Sequence, residues 1–331
     1  MTSKLSIQEI RALPKVDLHR HLDCSMRWST LLEIATTLKL DFPKKPDEQY
    51  KHFLVTEPMV NLEAVLNKFL IAQKLLASEE ILERLAYEVC EDAVNDGIHL
   101  MELRYAPTFI TSGHSQLSFE KIHRAFLKGT ARAEKKWPIK TGLICIIQRT
   151  LDVKEAEIVT QFAIENKDTF IAMDLADNED GFEPARFEKI FGQAKAAGLH
   201  ITVHSGEAPS KKAGQWVKDS IEILGAERIG HGVQVINFPE IMKLLKDKQI
   251  PLEVCPYSNW LTQAFPKLAD HPLKKLKDQG VLVTLNSDDP GLFASTLSDD
   301  YMIAQNEIGF TRKDFDDCYK TAVSKSFIKM Q

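Results

Sequence analysis

Lys15-Val16-Asp17-Leu18-His19-Arg20-His21-Leu22 is the first of a series of short apolar runs, and two histidines spaced two residues apart stand near its end. Similar runs recur at residues 98–105, 141–147, 170–175, 201–204, 250–255 and 281–285, with a shorter one at 228–230. Several are rich in Val and Ile, as strands buried on both faces of a parallel sheet should be. Between them lie helical patterns. Ile81, Leu85, Val89 and Ala93 recur at the spacing of one helix face, with Gly97 as a stop. Ile158, Val159, Phe162 and Ala163 form a second stripe, and Ile190, Ala194 and Ala197 a third, before Gly198. Eight strands separated by helices predict an α/β fold, a (β/α)8 TIM barrel, in preference to a doubly wound sheet.

The chain of 331 residues is long enough for two domains. Barrels of this kind reach that length as one domain, however, and no Gly/Ser-rich linker marks a boundary. A single barrel domain over residues 1–331 is expected, opened by a short charged helix within residues 1–13. Residues 28–76 form a long insertion between the first and second runs: a segment at 28–40, a Lys/Pro-rich loop at 41–58 and a helix at 61–76. Loops that follow barrel strands lie on the catalytic face, so a helical lid is expected here.

Composition narrows the class further. Hydrophobic residues make up 44% and charged residues 27%, as in ordinary globular proteins. The net charge is -5 and the basic residues are scattered, which argues against a nucleic-acid surface or a membrane patch. No apolar stretch is long enough for a signal peptide or a membrane span, so a cytoplasmic location is expected. Cys24, Cys90, Cys145, Cys255 and Cys318 are odd in number and contain no CxxC pair, so neither a disulfide framework nor a cysteine metal site is indicated.

Chemistry gathers at the strand ends. On a strand, residues two apart point the same way, so His19 and His21 can reach one metal ion. His204-Ser205-Gly206-Glu207 follows the fifth run, Gly230-His231-Gly232 the sixth, and Asn286-Ser287-Asp288-Asp289-Pro290 the eighth. Singly, each has a bland reading: His231 as a turn residue, Asp288 and Asp289 as a helix cap and first turn, Glu207 as a solvated carboxylate. In a barrel all these ends meet at one face, and their joint occurrence there favours a site. His52, His99, His114, His123, His200 and His271 belong to no such pattern and read as structural or surface residues.

Taken together with Pro14-Lys15-Val16-Asp17-Leu18-His19-Arg20-His21-Leu22-Asp23 and Cys255-Pro256-Tyr257-Ser258-Asn259, these motifs resemble the adenosine deaminase family of metal-dependent hydrolases, in family order across almost the whole chain. The resemblance implies one Zn²⁺ per chain, held by His19, His21, His204 and Asp288 with a position left for water. It implies Glu207 as the donor of a proton to purine N1, His231 beside the attacking water, and Asp289 on purine N7. It places Asp23 on the ribose 5′-hydroxyl and Leu62, Leu66 and Phe69 over the nucleoside. The implied reaction is hydrolytic replacement of the 6-amino group of adenosine or a close relative, with a small purine nucleoside as the partner and no nucleic acid or membrane.

Two residues depart from the family pattern. Cys24 and Asp177 each stand where the family has glycine. Asp177 lies near the substrate, where the resemblance puts a backbone contact to purine N3. It either points into the pocket and selects the ligand, or caps the following helix or faces water. The substrate therefore widens to modified adenosines or an aminofutalosine-type nucleoside. Another amidohydrolase would bridge two metals with a lysine near the fourth strand, which is absent here, and a noncatalytic nucleoside binder would have no use for Glu207.

Overall fold

Eight strands run in parallel in the order of the chain, and the computed structural model describes them within residues 4–329. They are β1 (Lys15–His21), β2 (Ile98–Tyr105), β3 (Lys140–Gln148), β4 (Phe170–Ala176), β5 (His200–Ser205), β6 (Arg228–His231), β7 (Leu252–Val254) and β8 (Val283–Leu285). Each pairs with the next, and helices connect them, so the chain folds as the expected TIM barrel.

The ring closes beyond the end of β8. Asp288 N–H donates to the His19 carbonyl at 2.9 Å, and His21 N–H donates to the Asp288 carbonyl at 2.8 Å. That bridge forms with Asp288 at φ +61°, a left-handed conformation that costs a non-glycine residue about 1–3 kcal/mol. Closure and functional rim therefore depend on the same residue.

Between strands and helices lies one large apolar core, to which Leu85, Val89, Ala93, Val159, Phe162, Ala163, Ile190 and Ala194 contribute as their spacing requires. Ile158 does not join it. Its side chain is 63% exposed, because the next residue on the turn, Val159, already faces the barrel. Inside the barrel the filling is charged. Arg104 of β2 donates to Asp174 of β4 and to Glu253 of β7, each at 2.8 Å. Arg228 of β6 donates to Glu253 and to Glu102 of β2, each at 2.6 Å. Strands that are not neighbours can meet this way only through the interior. Such buried pairs are costly to desolvate and costly to break, since losing one partner strands the other.

The first helix covers Ile7–Arg11 and is closed by a capping box between Ser6 and Glu9; residues 1–3 of the expected segment lie outside the described residues. The insertion contains helices Trp28–Thr37, Pro46–Phe53 and Leu62–Gln73. The middle one replaces the expected loop. Pro46 opens it, Asp47 and Glu48 occupy its first turn, and Lys51 and His52 its last, all favourable to the helix dipole. No helix among the described residues is long and apolar enough to cross a membrane.

Candidate metal and active site

The strand ends converge as the sequence suggested. His19 and His21 leave β1, His204 ends β5 beside Ser205, His231 ends β6, and Asp288 follows β8; all are buried. Gly230 has to be glycine for this arrangement, because a Cβ there would lie 2.9 Å from His19 Cε1.

Two carboxylates aim the histidines. Glu253 Oε2 lies 2.8 Å from His19 Nδ1, and Asp174 Oδ2 lies 2.9 Å from His204 Nδ1. A carboxylate accepts, so each Nδ1 carries the proton and each Nε2 presents a lone pair inward, the usual support of a metal-binding histidine. Burial alone would raise Asp174, but His204 and Arg104 beside it hold it below its ordinary value.

Those lone pairs meet. His21 Nε2 lies 3.2 Å from His204 Nε2, and Asp288 Oδ1 lies 3.3 Å from both His19 Nε2 and His21 Nε2. His19 Nε2 is buried without a hydrogen-bond partner. Three imidazole nitrogens and a carboxylate oxygen facing one another suit a cation far better than they suit each other. Two overlapping groups have ligand atoms within 4.8 Å of one another: His19, His204, His231 and Asp288, and His21, Asp288 and Asp289. A metal ion fits this cluster.

Glu207 stands beside it on a held turn. Gly206 N–H donates to Glu179 Oε2 at 2.8 Å and Ala208 N–H to Glu179 Oε1 at 2.5 Å, so one buried carboxylate grips both sides of Glu207. Gly206 takes φ +70°, and a Cβ on it would press to 2.8 Å from Val217 Cγ2. Thr262 Oγ1 donates to Glu207 Oε1 at 3.0 Å. Burial, reinforced by the charge of Asp288, pushes the Glu207 carboxyl up to about 7. His231 Nε2 lies 3.7 Å from Glu207 Oε2 and 3.8 Å from Asp288 Oδ2. Burial holds His231 down at about 4, so its ring is neutral near pH 7.

A cavity of about 460 Å³ opens over these groups, a volume ordinary for a small-molecule site. Leu62, Leu66 and Phe69 line it from the insertion, and Asp23, Asp177 and Asp289 line it from the strand ends. Asp23 accepts from Ala106 N–H at 3.2 Å, and burial pushes it up to about 7. Asp289 Oδ1 is buried without a hydrogen-bond partner. Asp177 adopts φ +87°, which explains why glycine would suit this position. It caps no helix: Thr150 Oγ1 donates to its Oδ2 at 2.7 Å, Gln148 Nε2 donates to the same oxygen at 3.2 Å, and Asn178 N–H donates to its Oδ1 at 2.6 Å. Its carboxylate is thus already paired within the loop.

Glu253, Asp174, Arg104 and Glu179 had no assigned role from sequence. The available signal was charge inside or just after apolar runs, as in Glu102-Leu103-Arg104 and Leu252-Glu253-Val254. His271, read as structural or surface, is buried beside the site: its Nε2 lies 3.2 Å from Asn259 Oδ1.

A barrel with a histidine–aspartate cluster and a buried carboxylic acid at its C-terminal rim defines a metal-assisted hydrolase. The family model described as adenosine deaminase matches residues 14–331. An adenosine deaminase of Clostridium botulinum (strain Hall / ATCC 3502 / NCTC 13319 / Type A) is 34% identical over 96% of this chain and 94% of its own. Among solved structures, the N6-methyl-AMP deaminase from Arabidopsis thaliana superposes with a TM-score of 0.82 at 27% identity, covering 98% of this chain and 95% of that one. The adenine deaminase from Arthrobacter aurescens superposes at 0.88 with 24% identity, covering 96% and 94%. The chain belongs to the adenosine deaminase family, whose members are hydrolases of carbon–nitrogen bonds, and hydrolytic deamination is its chemistry.

Proposed function

We propose that the protein deaminates adenosine, or a closely related uncharged 6-aminopurine nucleoside, to the 6-oxo product and ammonia, with one zinc ion per chain. The observation that carries the choice of substrate is a cavity lined by acids and by no cationic side chain. Asp23, Glu63, Asp177, Glu207, Asp288 and Asp289 line it, and no Lys or Arg is among the described residues that do. A 5′-phosphate would enter this acidic pocket with no cationic side chain to meet it.

His19, His21, His204 and Asp288 would hold the metal, which supplies an activated water near neutral pH. Around it the chain's own groups do the rest. Glu207 gives its proton to purine N1, which removes the aromatic resistance of C6 to attack. His231 orients the attacking water from its Nε2 side. Asp289, whose Oδ1 is otherwise unpartnered, is the residue offered to N7. Water adds at C6, a proton passes to the 6-amino nitrogen, and the carbon–nitrogen bond breaks to release ammonia. Asp23 accepts from the ribose hydroxyl. Leu62, Leu66 and Phe69 on helix Leu62–Gln73 cover the nucleoside, so the insertion over residues 28–76 serves as a lid on a single barrel domain.

Measuring kcat/KM by absorbance on adenosine, 2′-deoxyadenosine, adenine and adenosine 5′-monophosphate tests this. The nucleosides should exceed the monophosphate by roughly 10²-fold or more, since a desolvated like-charge contact costs several kcal/mol. A monophosphate turned over as well as adenosine overturns the assignment.

A further inference from the structure

Behind His231 lies a chain of hydrogen bonds that leads away from the cavity. Leu273 N–H donates to His271 Nδ1 at 3.2 Å. A backbone amide can only donate, so His271 Nδ1 is an acceptor and the ring proton of the neutral imidazole sits on Nε2. That Nε2 lies 3.2 Å from Asn259 Oδ1, which accepts it. The Asn259 amide is thereby fixed in one orientation, because the flipped form would set N–H against N–H. Its Nδ2 then lies 3.1 Å from His231 Nδ1 and donates to it. His231 Nδ1 is consequently an acceptor, and the single proton of its ring is on Nε2, the nitrogen facing Glu207 and Asp288.

This is the opposite polarity to His19 and His204, whose Nδ1 atoms are held by carboxylates. Those two rings present lone pairs to the centre; His231 presents a hydrogen. The difference separates a ligand from a donor among histidines that are equally buried and whose rings approach within 4.4 to 5.2 Å of one another. It also removes His231 from the first of the two overlapping groups of ligand atoms, since a protonated Nε2 cannot bind a cation.

We propose that Asn259 and His271 are positioning residues that fix the tautomer of His231, keeping it a hydrogen-bond donor to the reacting oxygen and out of the metal's coordination shell. The inference rests on the role given to His231 above. Asn259→Asp inverts the relay, because a carboxylate at this place accepts from both histidines and draws the His231 proton to Nδ1. His271→Phe removes the outer link and leaves the Asn259 amide free to rotate.

Ring-nitrogen NMR of the protein with isotopically labelled histidine reads the tautomer directly, with His231→Gln used to assign the signal. The wild type should carry the His231 proton on Nε2, and Asn259→Asp should move it to Nδ1. In parallel, Asn259→Asp should lower kcat roughly 10²- to 10⁴-fold, as expected when a catalytic imidazole is held in the wrong tautomer, with KM changed only a few-fold. His271→Phe should cost less than Asn259→Asp. A wild-type His231 protonated on Nδ1 overturns the proposal, whether or not either variant folds. So does an Asn259→Asp enzyme with kcat within two-fold of wild type once the inverted tautomer has been seen. If His231→Gln itself leaves kcat unchanged, the role of His231 in the proposed function fails, while the measured tautomer still judges the relay.

Discussion

The barrel rim and the helical insertion that covers it face the same cavity but are built differently. At the rim three of the four clustered histidines are braced: His19 by Glu253, His204 by Asp174, His231 by Asn259, with Arg104 tying the two carboxylates together. The insertion contributes apolar contact with little bracing. On helix Leu62–Gln73 only Val65 is buried, and it belongs to a small cluster with Val55, Leu261, Leu292 and Phe293 that is separate from the main core. Positioning of reacting atoms demands tenths of an ångström, whereas enclosure of a purine demands only apolar surface that can approach and withdraw. On the proposed function, the rim would set chemistry and the insertion would set access.

The two regions should respond differently to substitution, and the larger response belongs to the rim. Glu253→Gln keeps the shape of the side chain but removes the charge that Arg104, Arg228 and His19 share. Metal affinity should fall roughly 10- to 100-fold, as for other outer partners of metal-binding histidines. The melting temperature should fall with it, because two buried guanidinium groups each lose one of their two carboxylate partners. Titration with zinc and a thermal melt check both, and unchanged metal affinity would mean that the bracing is incidental. In the insertion, Phe69→Ala should raise KM several-fold with kcat little changed, the pattern of lost uniform binding. Its melting temperature should move by less than about 4 °C, since the ring is only half-buried. A loss of kcat equal to that at the rim would show that the helix takes part in the chemistry.

Much of the rim was legible because strand ends carry their signal locally. The runs at 98–105 and 170–175 coincide with β2 and with all but the last residue of β4, and each histidine motif sits at or just past the end of its strand. The bracing was not legible, because its partners are distant in the chain: His19 and Glu253 are 234 residues apart. A single Glu between Leu252 and Val254 looks like an interruption until the barrel closes around it. His271 escaped for the same reason, since its meaning lies in Asn259 and Leu273 together. Closure through Asp288 at φ +61° has no local propensity to announce it. The helix Pro46–Phe53, by contrast, had its signals present, with Pro46 at the start and acids in the first turn; the lysines and prolines around it suggested a loop instead.

In the proposed mechanism Glu207 is the proton donor beside a metal held by other residues. The most direct measurement compares zinc content and adenosine turnover in wild type and Glu207→Gln. Glu207 lies outside the ligand cluster and its turn is held by Glu179 through backbone amides, so the substitution should leave the metal in place. About one zinc per chain is expected in both proteins, with a kcat lower by roughly 10²- to 10⁴-fold or more in the variant. Near-wild-type kcat in a zinc-loaded Glu207→Gln protein would contradict this mechanism.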